Sequence, residues 1–186
     1  MLYQEHRSLL SSVAAVRATD PEKPHDAKEL HAEVQRIITE SSKHEVAEET
    51  HLWPLVRSRL PDGESLASQA CDEELDMKRI LRALDTRKPG DIDFDELLSS
   101  FEAGLKHHVD FEESRVWPLL DASLTDREAG VLADELTLSE ASAPTRPHPS
   151  ELADPAKHPV LSKAAGLVDR GVDAIAGRGR GPYSGQ

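Results

Sequence analysis

A single cysteine, Cys71, leaves the chain unable to form an intramolecular disulfide and fits a reducing compartment. Aromatic residues fill only 4% of positions, so an interior must be built mostly from Leu, Val, Ile and Ala. Basic residues are outnumbered, 22 against 35 acidic, and the net charge of −13 excludes a general nucleic-acid binder, which needs a basic face. No apolar run is long enough to span a membrane, and the N-terminus lacks the basic and apolar segments of a secretory signal. These absences lead to the expectation of a cytoplasmic protein with neither a membrane nor a nucleic-acid partner. They leave its oligomeric state open.

What is present points to helices. The 186 residues suit one domain with room for a tail, and the 31% charged share is that of helices with one buried stripe each. Apolar residues recur at helical spacing nearly everywhere before Ala143, with no sustained strand-like alternation. The expected fold is all-α, an up-down-up-down four-helix bundle over residues 1–121 with an additional helix over 122–142. The spacing predicts a first helix over 2–17. A second opens at an Asp26/Glu29 capping box and runs to residue 60 with a bend at Pro54. A third runs from the Pro61-Asp62-Gly63 turn to residue 84, and a fourth covers 91–120. Thr125 with Glu128 caps the additional helix. Residues 143–186 read as a Pro/Gly-rich flexible tail. It carries six Lys/Arg against four Asp/Glu, net +2, which leaves −15 for the rest. Leu161, Ala165, Val168, Val172 and Ile175 predict a short amphipathic helix within it, and the last ten residues should be disordered.

The second and fourth helices are copies at an offset of 64 residues. Leu30, Ile37 and His44, beside Val34, Ser41, Glu48 and Leu55, match Phe94, Phe101 and His108, beside Leu98, Leu105, Glu112 and Leu119. Even the flanks agree: Glu48-Glu49 then Trp53-Pro54, against Glu112-Glu113 then Trp117-Pro118. The first and third helices correspond at an offset of 68, with His6, Leu9, Val13 and Val16 against Glu74, Met77, Leu81 and Leu84. Two related hairpins result. Each offers one ligand-type residue from its first helix and a His-x-x-x-Glu pair from its second.

These residues interrupt stripes that are otherwise apolar. A His and a Glu four apart project from one side of a helix, and a lone buried carboxylate costs several kcal/mol. Glu48, Glu74 and Glu112 therefore need compensation. One or two cations would supply it to all three, with imidazoles completing the shell; the alternative is a metal-free network of buried His–Glu hydrogen bonds.

At Glu5-His6, at 44–49 with Trp53-Pro54, and at 107–113 with Trp117-Pro118, the sequence resembles the hemerythrin-like (hemerythrin HHE cation-binding) family. That resemblance implies a four-helix bundle with a non-haem centre of two iron ions. It implies His6 and His44 on one iron, His108 on the other, and Glu48 and Glu112 bridging them. Two departures stand out. The third helix has Glu73-Glu74 where the family usually has a Glu-His pair, which makes Glu74 either the sixth ligand or a lost ligand position in a site that binds one metal or binds weakly. Only five residues precede His6, fewer than is usual. The function expected from the resemblance is binding or sensing of oxygen or a related small oxidant. An enzyme decomposing peroxide or handling nitric oxide, and a metal-free helical interaction module, are the alternatives. His51 reads as an outer neighbour of the site, His31 and His107 as surface residues, Trp53 and Trp117 as packing, and Cys71 as a small core residue.

Overall fold

The computed structural model describes residues 1–19 and 24–147, and every regular element among them is helical. Leu9, Val13 and Val16 form the buried stripe of α1 (Leu2–Ala18), which Thr19 ends in an extended conformation. α2 (Pro24–Ala47) starts two residues before the Asp26 opening the sequence predicts. Proline is suited to a first helical position, because the N–H it lacks would have no partner there.

Where the sequence predicts a bend at Pro54, the structure has a change of pitch just ahead of it. Glu48–Leu52 form a π turn, π1, closed by the Trp53 N–H on the Glu48 carbonyl, and α3 (Trp53–Arg59) follows. Proline in an α-helix gives no N–H and crowds the carbonyl four residues back. A wider turn at that point relieves both demands. After α4 (Gly63–Asp85), the pattern recurs 64 residues on: α5 (Phe94–Phe111), then π2 (Glu112–Val116) closed by Trp117 on Glu112, then α6 (Trp117–Ser123).

Each π turn takes up one extra residue and so shifts the inward positions beyond it. The apolar stripe predicted to continue through Leu55 and Leu119 passes instead to Val56 and Leu120, which are 0% and 4% exposed, while Leu119 is 53% exposed. A strict helical period carried through the turn misassigns Leu119, while Leu55 stays partly buried against the second apolar cluster.

The core has two apolar clusters. One gathers Val13 and Val16 from the end of α1, Leu30 and Ile37 from α2, Leu81 and Leu84 from the end of α4, and Phe94 and Phe101 from α5. The other joins Leu2 at the start of α1, Val56 of α3, Leu66 and Ala70 at the start of α4, and Leu120 of α6. Ends and starts thus meet alternately, so consecutive rods run in opposite directions. Between the clusters lies a layer of buried polar residues. α7 (Asp126–Ser142) opens on the Thr125/Glu128 capping box and lies along α2 and π1, with Leu136 buried beneath it.

Ala143 and Thr145 are buried, and Arg146 pairs with Asp85 at 3.1 Å, so residues 143–147 belong to the packed body. The predicted amphipathic helix and disordered end of the tail lie outside the described residues. No helix among the described residues is long and apolar enough to cross a membrane.

Gly63 makes the α3–α4 corner possible: a Cβ there would meet the Val56 carbonyl oxygen at 2.1 Å and the Arg57 Cα at 2.9 Å. Both are backbone atoms, so Gly63→Ala is expected to cost about 1–3 kcal/mol, an overpacking penalty. Exposed Gly130 in α7 has nothing within 4 Å of that position, and Gly130→Ala should gain up to about 1 kcal/mol from helix propensity. Calorimetric melting of the two variants should move in opposite directions; equal shifts would contradict this corner.

Candidate metal centre

The polar layer takes His6 from α1, His44 from α2, Glu48 from the start of π1, Glu74 from α4, His108 from α5 and Glu112 from the start of π2. None is more than 5% exposed. The structure brings all six together. His6 Nε2 and His44 Nε2 face each other at 3.1 Å, with Glu112 Oε2 at 3.1 Å from the first and Glu48 Oε1 at 3.3 Å from the second. On the other side, His108 Nε2 stands 3.5 Å from Glu112 Oε1 and 3.9 Å from Glu48 Oε2. Glu48 and Glu112 therefore each direct one oxygen to either half. Two overlapping groups result, His6–His44–Glu48–Glu112 and Glu48–Glu74–His108, each compact enough to surround one ion.

Every imidazole is anchored from behind. His6 Nδ1 donates to Glu113 at 3.0 Å, His44 Nδ1 to Glu5 at 3.0 Å and His108 Nδ1 to Glu73 at 3.4 Å. A carboxylate on Nδ1 fixes the tautomer and leaves Nε2 as a bare donor atom, the arrangement a ligating imidazole needs. Trp53 Nε1 donates to Glu74 Oε1 at 2.5 Å, and Trp117 stacks on His6 at 4.8 Å between ring centres. Sequence reasoning missed the three outer carboxylates and gave both tryptophans to packing. The available signal was the doublets Glu5-His6, Glu73-Glu74 and Glu112-Glu113. In each, one residue faces inward and its neighbour, about 100° around the helix, reaches a side chain on another rod or on its own hairpin partner.

Electrostatics test whether a cation fits. Five carboxylates at most 5% exposed (Glu45, Glu48, Glu49, Glu74 and Glu112) share the layer with one buried ammonium, Lys78, whose Nζ lies 2.6 Å from Glu49. In the state that ligates metal, with all five acids ionised and the imidazoles neutral, four negative charges are left for bound cations to compensate. Both oxygens of Glu48, both of Glu112, Glu74 Oε2 and His108 Nε2 have no hydrogen-bond partner among the described residues. Burial alone depresses an imidazole, yet Glu48, Glu5 and Glu112 outweigh it and raise His44 to about 9. Burial and the neighbouring Glu49 hold Glu74 well above the usual carboxylate range. Orphaned oxygens and bare imidazole nitrogens converging without protein donors are the donor set of a hard-to-borderline metal ion, and the residues fit such an ion.

The remaining candidates lie elsewhere. His51 points to α7, with Nδ1 3.6 Å from Glu135. His107 is largely exposed and pairs with Glu73, and His31 is half-buried rather than on the surface. Cys71 packs beside the second cluster, and burial together with Glu74 and Glu49 pushes its thiol up to about 12. Tyr3, half-exposed, meets Trp117 edge-on at 4.4 Å. Both rings line an apolar cavity of about 530 Å³ together with Leu120, Leu132 and Leu136.

The metal-free chain carries a pH signature. The folded state raises His44 from 6.5 to about 9, so its stabilising contribution is complete below pH 6.5 and is lost as pH rises through 9. Groups held low, such as Glu48 and Glu5, are already ionised across that window. Melting of chelator-treated protein should therefore drop by several degrees between pH 6.5 and 9.5. A flat profile would contradict the cluster of carboxylates around His44.

Residues 1–120 match the hemerythrin HHE cation binding domain. A hemerythrin-like protein of Schizosaccharomyces pombe, itself described as uncharacterized, is 23% identical over 170 residues, covering 91% of this chain and 81% of that protein. No solved structure matches the chain. The all-helical body, the duplicated His-x-x-x-Glu pairs and the buried His/Glu clusters agree with the family match, and the chain belongs to the hemerythrin HHE cation-binding family.

Proposed function

We propose that His6, His44, Glu48, Glu74, His108 and Glu112 hold two iron ions, and that the protein binds or senses dioxygen or a related small oxidant. The observation that carries this reading is the split aim of Glu48 and Glu112, each with one oxygen toward either half of a layer whose ionised acids exceed its ammonium by four charges. Two divalent ions match that deficit. A single ion would leave two charges buried without partners, at several kcal/mol each.

Iron held there would supply redox chemistry toward oxygen, peroxide or nitric oxide. The chain's own residues bind and orient. Glu113, Glu5 and Glu73 keep the imidazoles turned inward, and Trp53 holds Glu74 by one oxygen, leaving the other free. The two apolar clusters keep bulk water from the layer. The apolar cavity against Trp117 suits the approach of a small, weakly polar molecule. Glu74 adds a charged oxygen donor where an imidazole would be neutral, and oxygen donors favour harder, more oxidised metal. That favours redox reaction with the oxidant over lasting reversible storage, and it keeps an enzyme acting on peroxide or nitric oxide as the second reading.

Chain produced with ample iron should carry two irons, and Glu112→Ala should carry one or none. Glu74→His should change the iron content or the absorption of the oxidised protein; a variant unchanged in both would remove Glu74 from the site. Iron-replete protein that is folded yet empty would defeat the whole reading. Rapid mixing of the reduced protein with oxygen, alongside a peroxide assay, separates the two functions. A lasting spectral change supports binding, and steady oxygen release from peroxide supports an enzyme.

A further inference from the structure

The duplication allows the two halves of the layer to be compared position by position. At the offset of 68, Glu74 corresponds to His6 and Lys78 to Leu10; at the offset of 64, Glu49 corresponds to Glu113 and Glu45 to Val109. In the first half, the ligand-type His6 donates Nδ1–H to Glu113. In the second half, a carboxylate stands in place of that imidazole, and the equivalent of Glu113 is Glu49. Two acids now face each other where the first half has a donor and an acceptor. The second half also has what the first lacks: Lys78, 4% exposed, with Nζ 2.6 Å from Glu49 Oε1, and Glu45, 2% exposed. Glu49, Glu45 and Glu74 are the carboxylates whose charges act most strongly on that ammonium.

We propose that Lys78 is a positioning residue that takes over the role of the missing imidazole N–H, neutralising Glu49 so that Glu74 can serve the second metal position as a carboxylate. The inference rests on the two-iron reading above and assigns a determinant of its second position. Lysine suits the role because its ammonium is a compact point charge on a long apolar stem, and Lys78 is among the buried residues of α4 with Met77 and Leu81. Glu45, 2% exposed, supplies a further negative charge to Lys78 and is not one of the six central residues. Lys78 and Glu45 thus enter as a charge-balanced pair where the first half has Leu10 and Val109, and the Glu74 substitution is the change they accommodate.

The test makes the second half resemble the first in steps, in full-length chain, with iron content and melting of the metal-free protein as readouts. Lys78→Leu alone leaves acids buried without a cation and is expected to melt well below the parent. Lys78→Leu with Glu45→Val removes the pair together and should recover much of the melting temperature. Its second iron should still be lost or weakened by about 10–100-fold, the usual cost of removing an outer partner. Adding Glu74→His to that double variant recreates the first half's set and should restore two irons. Lys78→Arg, which keeps the charge, should hold two irons throughout and tests the role even if the leucine variants fail to fold. The proposal is overturned if the double variant binds two irons as tightly as the parent, if the triple variant stays at one, or if Lys78→Arg loses the second iron. Parent chain without two irons would instead defeat the underlying reading.

Discussion

Five carboxylates sealed between two apolar clusters, with one ammonium among them, form the constraint on which the rest of the structure depends. In water these acids would repel weakly. In a layer shielded from solvent the same repulsion grows as the effective dielectric falls. The bundle meets it locally: imidazoles turned inward by outer carboxylates, an indole N–H on Glu74, a lysine on Glu49. What those partners leave unsatisfied is concentrated on Glu48 and Glu112, the two residues that reach both halves. The deficit is therefore central and shared.

The backbone is shaped around the same two residues. Each π turn begins at Glu48 or Glu112, and each ends at a tryptophan followed by proline. The turn relieves the proline, re-aims the chain beyond it, and sets Trp53 against Glu74 and Trp117 against His6. Each tryptophan thus contacts the first-helix residue of the opposite hairpin. The hairpins are locked to each other through the polar layer as well as through the apolar clusters.

Much of this was legible in the sequence because polar residues in an apolar stripe are costly and so conspicuous. His6, His44, Glu48, Glu74, His108 and Glu112 were found that way, and the structure gathers all six. The duplication sharpened the reading, since chance seldom repeats a pattern together with its flanks. Leu119 was misread because a constant period cannot anticipate an extra residue in one turn, although Pro118 marked where it would fall. Glu5, Glu73 and Glu113 were overlooked because they sit off the inward stripe and acquire their partners only when rods pack. The start of α2 was placed late because the Asp26 cap pattern outweighed Pro24, an equally good opening residue. Lys78 acquires its meaning only from the fold, which buries it with Nζ 2.6 Å from Glu49.

The two π turns are twins in sequence but not in surroundings. α7 lies along π1, where His51 meets Glu135, and Glu140 stands beside Glu5 behind His44. Among the described residues no such helix covers the outer face of π2, where Ser114 and Arg115 are exposed. A segment with fewer packed neighbours opens at lower free energy. Among the described residues, duplication has therefore left one braced jaw and one barer jaw around a common centre, and breathing of the closed bundle is expected first on the Glu112 side.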